Sequence, residues 1–179
     1  MRTLLLSFVV FVAVFAVTHV ATFPGSVSYF REVTGGQDIL DLRASSSAEE
    51  TWQRLDAMGE AGRAAYRRLV LVVDVGFPLA AFVFLGSLAR VAIARGGGRV
   101  LYALPVAYVA LDLAENALVL ALLDAFPARL DAAGAAIGWL TRGKRIAQAA
   151  ALLVPIGVLI VAGRRRTAGP DAPGAAHPR

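Results

Sequence analysis

An all-α bundle of four membrane-crossing helices, with short amphipathic helices in its first loop, is the fold this sequence predicts. Three observations carry that expectation. Of 179 residues, 58% are hydrophobic and 17% charged, where a soluble domain is close to half apolar and about a quarter charged. The apolar excess is gathered into four runs, and a helix needs ~20 mostly apolar residues to cross a hydrocarbon core of ~30 Å. The arginines flank these runs instead of being spread along the chain.

The net charge of +5 raises nucleic acid as a partner, but there is no basic module interleaved with aromatics. The expected partner is the lipid bilayer, not nucleic acid. The chain has no cysteine, which removes disulfides and thiolate chemistry. With two histidines, one of them in the C-terminal tail, no zinc or iron site and no cofactor is expected.

The first span is expected over 3–23, with His19 its only ionisable group. It reads as a retained helix rather than a signal peptide. The run is long, and Thr18 to Ala21 fit the small-x-small cleavage rule poorly. An outer segment, 24–68, follows. Pro24-Gly25 ends the first helix and Gly35-Gly36 marks a turn. Ser46/Glu49 and Ser47/Glu50 both have the spacing of a capping box. Trp52, Leu55 and Met58 form an apolar stripe at helical spacing, and Gly59 and Gly62 divide the region into two short helices before Tyr66. Residues 49–68 carry four acids and four arginines, so this segment is expected to be a half-buried cover on the outer surface. Trp52 and Trp139 read as interface aromatics.

The second span is expected over 69–89, interrupted by Asp74. The third covers 100–123 and contains the string LDLAEN, 111–116. The fourth covers 140–163, with its apolar part from Ile146 to Gly163. Residues 1–166 thus form a single transmembrane domain. The Gly-, Pro- and Ala-rich tail 167–179 is expected to be disordered and cytoplasmic. Arg2, then Arg90, Arg95 and Arg99, then Arg164, Arg165 and Arg166 lie at one side of the spans, which predicts both termini inside the cell membrane. Arg129, Arg142, Lys144 and Arg145 would then lie outside, against the trend. Arg164, Arg165 and Arg166 are candidates for contact with anionic lipid.

The polar residues inside the spans mark a candidate site. Asp112, Glu115 and Asn116 are spaced i, i+3, i+4 and share one face of the third span, extended by Tyr108 and Val119. An ionisable group in the bilayer normally faces the bundle interior, paired, protonated or wet. Counted at ~1.5 Å per residue from the outer span ends, Asp74 is ~8 Å down, His19 and Gln148 ~6 Å, and the LDLAEN set ~10 to 16 Å. Lys144 sits at the outer edge, sharing a face with Gln148. Pro78, Pro105 and Pro155 are expected to bend their helices and open space for a polar partner. Seven residues therefore form the binding set: Asp74, Asp112, Glu115, Asn116, Lys144, Gln148 and His19. Taken singly, Asn116 reads as an interhelical hydrogen-bonding residue and His19 as a packing residue, and Lys144 equally as an interface anchor. Three acids at depth resist that reading, because packing needs hydrogen bonds but not carboxylates. One of them must be protonated, or a cation bound.

The strings ILDLR (39–43), SAEE (47–50), LDAMGEAGRAAY (55–66), Asp74 with Phe77-Pro78, LDLAEN and TRGK (141–144) together resemble an uncharacterised family of small bacterial four-helix integral membrane proteins. The likeness covers most of 39–160, and the high Ala, Arg and Gly usage suits a GC-rich bacterium. It departs at Ser45-Ser46, where the family pattern has an aromatic pair. The resemblance implies a four-helix fold and a set of marked positions, but no activity.

The functional expectation is a polytopic membrane protein whose polar pocket opens outward and binds a cation, a proton or a polar head group. Two alternatives stay open: a small intramembrane lipid-modifying enzyme using Asp112 and Glu115 as acid and base, or a structural or assembly subunit. A homo-oligomer or a membrane partner is compatible with each.

Overall fold

The structure, a computed structural model, describes residues 1–167, so the tail residues 168–179 fall outside it. Its regular structure among these residues is all helical, without strands. The elements are α1 (Arg2–His19), α2 (Val27–Val33), α3 (Ala48–Ala57), α4 (Gly59–Val72), α5 (Gly76–Ile93), α6 (Ala103–Ala125) and α7 (Asp131–Thr167), with 3-10 turns at Leu40–Leu42 and Arg99–Tyr102. Four helices, α1, α5, α6 and α7, are long and apolar enough to cross a membrane. They run up, down, up and down, and α2 to α4 form a cap at one end.

The cap is built by local signals. Ser26 caps α2, its side chain accepting from the Tyr29 N–H. Gly35 and Gly36 turn the chain at φ +68° and +96°, a region only glycine enters cheaply. Ser47 caps α3 by accepting from the Glu50 N–H, and Glu50 Oε2 in turn accepts from the Ser46 N–H and hydroxyl. The capping box is therefore shared between two serines. The hydrogen bonds from Ser46 and the paired Arg43 hold the Glu50 carboxyl down, at about 2.

The cap is half-buried, one face inward and the other exposed. Trp52, Leu55 and Met58 form the expected stripe, which packs with Phe30, Tyr66 and Leu69 into a closed apolar core. Trp52 is 2% exposed and is no interface aromatic, whereas Trp139 is 73% exposed. Burial pushes the Tyr66 hydroxyl well above its ordinary range. Val119 and Leu122 of α6 and Ile137 of α7 belong to the same core, so the cap and the tops of two long helices fold as one unit. Fully burying a side chain of this kind contributes ~1.5–3 kcal/mol.

This shared core sets the helix ends. The apolar residues Leu69 and Val70 finish α4 inside the cap core, so the second long helix begins at Gly76 rather than at 69. Residues 73–75 form the break. The first helix stops at His19, short of 23. The last begins at Asp131, not 140, because 131–141 lies against α3: the Thr51 hydroxyl donates to the Gly134 carbonyl at 2.8 Å. Gly62 sits within α4 instead of dividing it, since a Cβ there would stand 2.6 Å from Thr34 Cγ2. Pro78 and Pro105 are third residues of their helices, where no helical N–H partner is lost. Only Pro155 is interior, freeing the carbonyl of the fully buried Ala151.

Below the cap, α5, α6 and α7 pack through Ala81, Leu85, Tyr108 and Ala151, then Ala89, Ala92 and Leu101. Small residues let these backbones approach closely. Helix α1 lies along α5 through an aromatic ladder in which Phe11 stacks on Phe84 with centroids 5.4 Å apart. Its other flank leaves Leu5, Leu6, Val9 and Val17 exposed.

Two outcomes test this architecture. A Cβ at Gly138 would overlap the Ser45 carbonyl oxygen and stand 3.0 Å from its carbon. Gly138→Ala should lower stability by ~1–3 kcal/mol, while Gly86→Ala, which meets no atom within 4 Å, should raise it by up to ~1 kcal/mol; thermal unfolding in detergent compares them. Glu50 is depressed from 4.5 to about 2, so its contribution is complete above pH ~4.5 and disappears as pH falls toward 2. The difference in melting temperature between the parent and Glu50→Gln should accordingly shrink over that window.

Candidate functional site

The seam between the cap core and the bundle is polar, and it is centred on Lys144. The face expected on α6 is present: Tyr108, Asp112, Glu115, Asn116 and Val119 are all buried. Helix α7 presents Lys144 to it. The ammonium lies 3.2 Å from Asp112 Oδ1 and also pairs with Glu115 Oε2. A third carboxylate comes from the cap, with Asp41 Oδ2 at 2.9 Å. Glu115 is 0% exposed. Its other oxygen accepts from the Thr141 hydroxyl, which one turn earlier on α7 also bonds the Ile137 carbonyl.

Asp74 arrives from the break between α4 and α5. Its backbone carbonyl accepts from Asn116 Nδ2 at 3.3 Å, and the same amide reaches Asp112 Oδ2 at 3.4 Å. Three acceptors here are buried without a hydrogen-bond donor among the described residues: Asp74 Oδ2, Asn116 Oδ1 and Asp41 Oδ1. Glu115 Oε2 meets the ammonium as an ion pair rather than as an aligned hydrogen bond. Buried acceptors left without donors cost ~1–3 kcal/mol each, so a donor or cation from outside the chain would be held tightly.

An open cavity of about 180 Å³ leads to these groups, lined among others by His19, Asp41, Asp74, Asp112, Lys144 and Gln148. Five of the seven expected residues therefore share one cavity wall. Glu115 and Asn116 lie behind it, holding Lys144 and Asp74. His19 reaches the cavity as the last rung of the α1 aromatic ladder, stacked on Phe15 at 4.4 Å, with Nδ1 donating to the Phe15 carbonyl. Gln148 lines the cavity and makes no hydrogen bond among the described residues.

Helix α7 starts at Asp131, so Lys144 is well along it and meets Asp112 and Glu115 of α6. The residues around it are also engaged. Arg142 donates to the Ser45 carbonyl at 3.1 Å, and Arg145 donates to the carbonyls of Asp41 and Leu42. On the far side of the same loop, Arg54 donates to the carbonyls of Asp38, Ile39 and Arg43. An irregular buried loop has no helical partners for its carbonyls. Three guanidinium groups, each with five donors, supply them. The string TRGKR is thus a cap-binding strip.

Asp41 is the site residue that spacing did not reveal, because it sits in irregular chain without periodicity. A signal was present all the same. Both aspartates that meet Lys144 stand in a Leu-Asp-Leu triplet, at 40–42 and 111–113. One oxygen each of Asp41, Asp112 and Glu115 lie within 4.8 Å of one another, a spacing that suits the oxygen shell of one divalent cation. The Lys144 ammonium already stands among them. Nucleophilic chemistry is poorly served, since the Thr141 hydroxyl is 0% exposed and committed to Glu115.

Comparison of the chain with models of protein families, with characterised proteins and with solved structures finds no match. The fold and the residues define the class on their own: an all-α bundle with four helices fit to cross a membrane.

Removing one partner of a buried charge cluster leaves uncompensated charge and costs ~3–5 kcal/mol. Lys144→Met should therefore destabilise by about that much. Adding Asp112→Asn and Glu115→Gln should restore most of the loss, read as melting temperature at equal detergent and salt.

Proposed function

We propose that the chain is a polytopic integral membrane protein with both termini on the cytoplasmic side, and that its cavity is an outward-opening seat for a proton or a small cation. The carrying observation is the charge imbalance. Asp41, Asp112 and Glu115 converge on one ammonium, Asp74 lines the same cavity without pairing to it, and one oxygen each of Asp41 and Asp74 is buried without a donor among the described residues. Charge left unpaired in such a place is costly, so a proton or a cation is the natural complement.

Size favours a small ligand. At ~30 Å³ per water, about 180 Å³ takes a handful of waters or a partly hydrated ion. Pockets for drug-sized molecules run ~300–1,000 Å³, which argues against a lipid head group in this cavity. The orientation is supported by the free arginines, Arg2, Arg95 and Arg99, at the end opposite the cap. Arg142, Lys144 and Arg145 no longer count against it, since they are used inside the cap seam. Helix lengths favour a seat at the outer boundary: α5 has 18 residues, ~27 Å at 1.5 Å each, and Asp74 is just beyond its end.

Membership of the bacterial four-helix family belongs to the same proposal. What supports it is that the resembling strings ILDLR, LDLAEN and TRGK, and Asp74, all gather around one cavity.

The test is thermal unfolding of the purified protein in neutral nanodiscs, titrated with Na⁺, K⁺, Mg²⁺ and Ca²⁺ at constant ionic strength. Infrared difference spectra for a protonated carboxyl accompany it. One ion should stabilise saturably, by ~2.7 kcal/mol at a hundredfold excess over its Kd, or a protonated-carboxyl band should be present at neutral pH. Asp74→Asn should abolish or shift that response. Four ionised carboxylates with no ion-specific stabilisation would contradict the proposal.

A further inference from the structure

The other end of the bundle carries a second groove with a different chemistry. It has a volume of about 700 Å³ and lies between the loop 95–98 and the last turns of α7. Arg95 and Arg165 stand at its mouth, and Gly157, Val158, Val161 and Ala162 form its apolar wall. We propose that this groove is a phospholipid site: the two arginines hold the phosphate of an anionic membrane lipid, and an acyl chain runs along α7. The inference rests on the membrane-embedded reading of the chain but not on the cation seat.

Charge carries the first part of the argument. In the cap, Arg31, Arg43 and Arg129 are each paired with an acid. Arg95 and Arg165 have no ion pair or side-chain hydrogen bond among the described residues. Within the described helices around them there is no acid to pair with, because no Asp or Glu occurs in 75–111 or in 132–167. Two exposed guanidinium groups beside one groove, without internal acids, are a forked donor set for phosphate oxygens.

Shape carries the second part. The loop is folded tightly back on α5: Gly96 has φ +103°, and a Cβ at Gly97 would stand 3.0 Å from the Ala92 carbonyl oxygen. Three successive glycines therefore put no side chain in front of the groove. Gly157 leaves its floor open, since a Cβ there meets nothing within 4 Å. The result is a polar mouth over an apolar trough, which matches a phospholipid and does not match a free anion. It is also local, unlike a diffuse attraction of the Arg164–Arg166 cluster to a charged surface.

The experiment is native mass spectrometry of the full chain equilibrated with equal phosphatidylglycerol and phosphatidylcholine. The parent should retain phosphatidylglycerol preferentially. With each arginine near an anionic lipid worth about fivefold, Arg95→Gln/Arg165→Gln should lose that preference by roughly tenfold or more. The control pair Arg2→Gln/Arg99→Gln, at the same end but off the groove, should stay within about twofold of the parent. Gly157→Leu keeps both arginines and fills the trough, and it should also lose the lipid; it decides the matter if the arginine pair fails to fold. No preference in the parent, equal losses in both arginine pairs, or full retention by Gly157→Leu would overturn the site. Displacement of the lipid by inorganic phosphate at millimolar concentration would show a free-anion site and overturn it as well.

Discussion

The ammonium of Lys144 joins three parts of this molecule at the polar layer beneath their shared apolar core. It sits on α7, it pairs with Asp112 and Glu115 on α6, and it draws Asp41 down from an irregular turn of the cap. Above it is the cap core of Phe30, Trp52, Leu55 and Tyr66. Below it is the apolar packing of Ala81, Leu85 and Ala151. The polar layer is thin, and each neighbour has a task. Thr141 holds Glu115, Asn116 bridges Asp74 to Asp112, and three arginines occupy the carbonyls of the loop that carries Asp41.

A buried ion pair is weak evidence for stability, because desolvation offsets much of the attraction. A cluster with more carboxylates than cations is a still less economical way to hold helices together. Threonine and asparagine would do so with neutral hydrogen bonds. The excess of acids, the acceptors without donors and the opening to a cavity occur at one place, and a purely structural role needs none of the three. The proposed cation seat rests on that coincidence.

Much of this was legible in the sequence, for identifiable reasons. The four long helices follow from apolar runs of bilayer length. The buried face of α6 follows from i, i+3, i+4 spacing, and the cap of α3 from serines at the right places. What was not legible depended on tertiary context. The run from Leu69 to Val73 is apolar and resumes after Asp74, and only packing shows that its first part belongs to the cap and that Asp74 lies in a break. The upper third of α7 was hidden because Arg142, Lys144 and Arg145 interrupt the apolar pattern, and their partners lie some hundred residues away in Ser45, Asp41 and Leu42. Trp52 looked like an interface residue because a lone tryptophan in a charged helix gives no sign of a core above the membrane. Asp41 was missed for the same reason that its loop needs arginines: it has no period.

The central claim is that Lys144 clamps the cap to the bundle through Asp41. Hydrogen–deuterium exchange in nanodiscs, comparing the parent with Lys144→Gln, tests it most directly. The account predicts faster exchange confined to residues 38–45 and the top of α7, with α5 below Pro78 and α1 unchanged. Equal protection of 38–45 in the two proteins would contradict it.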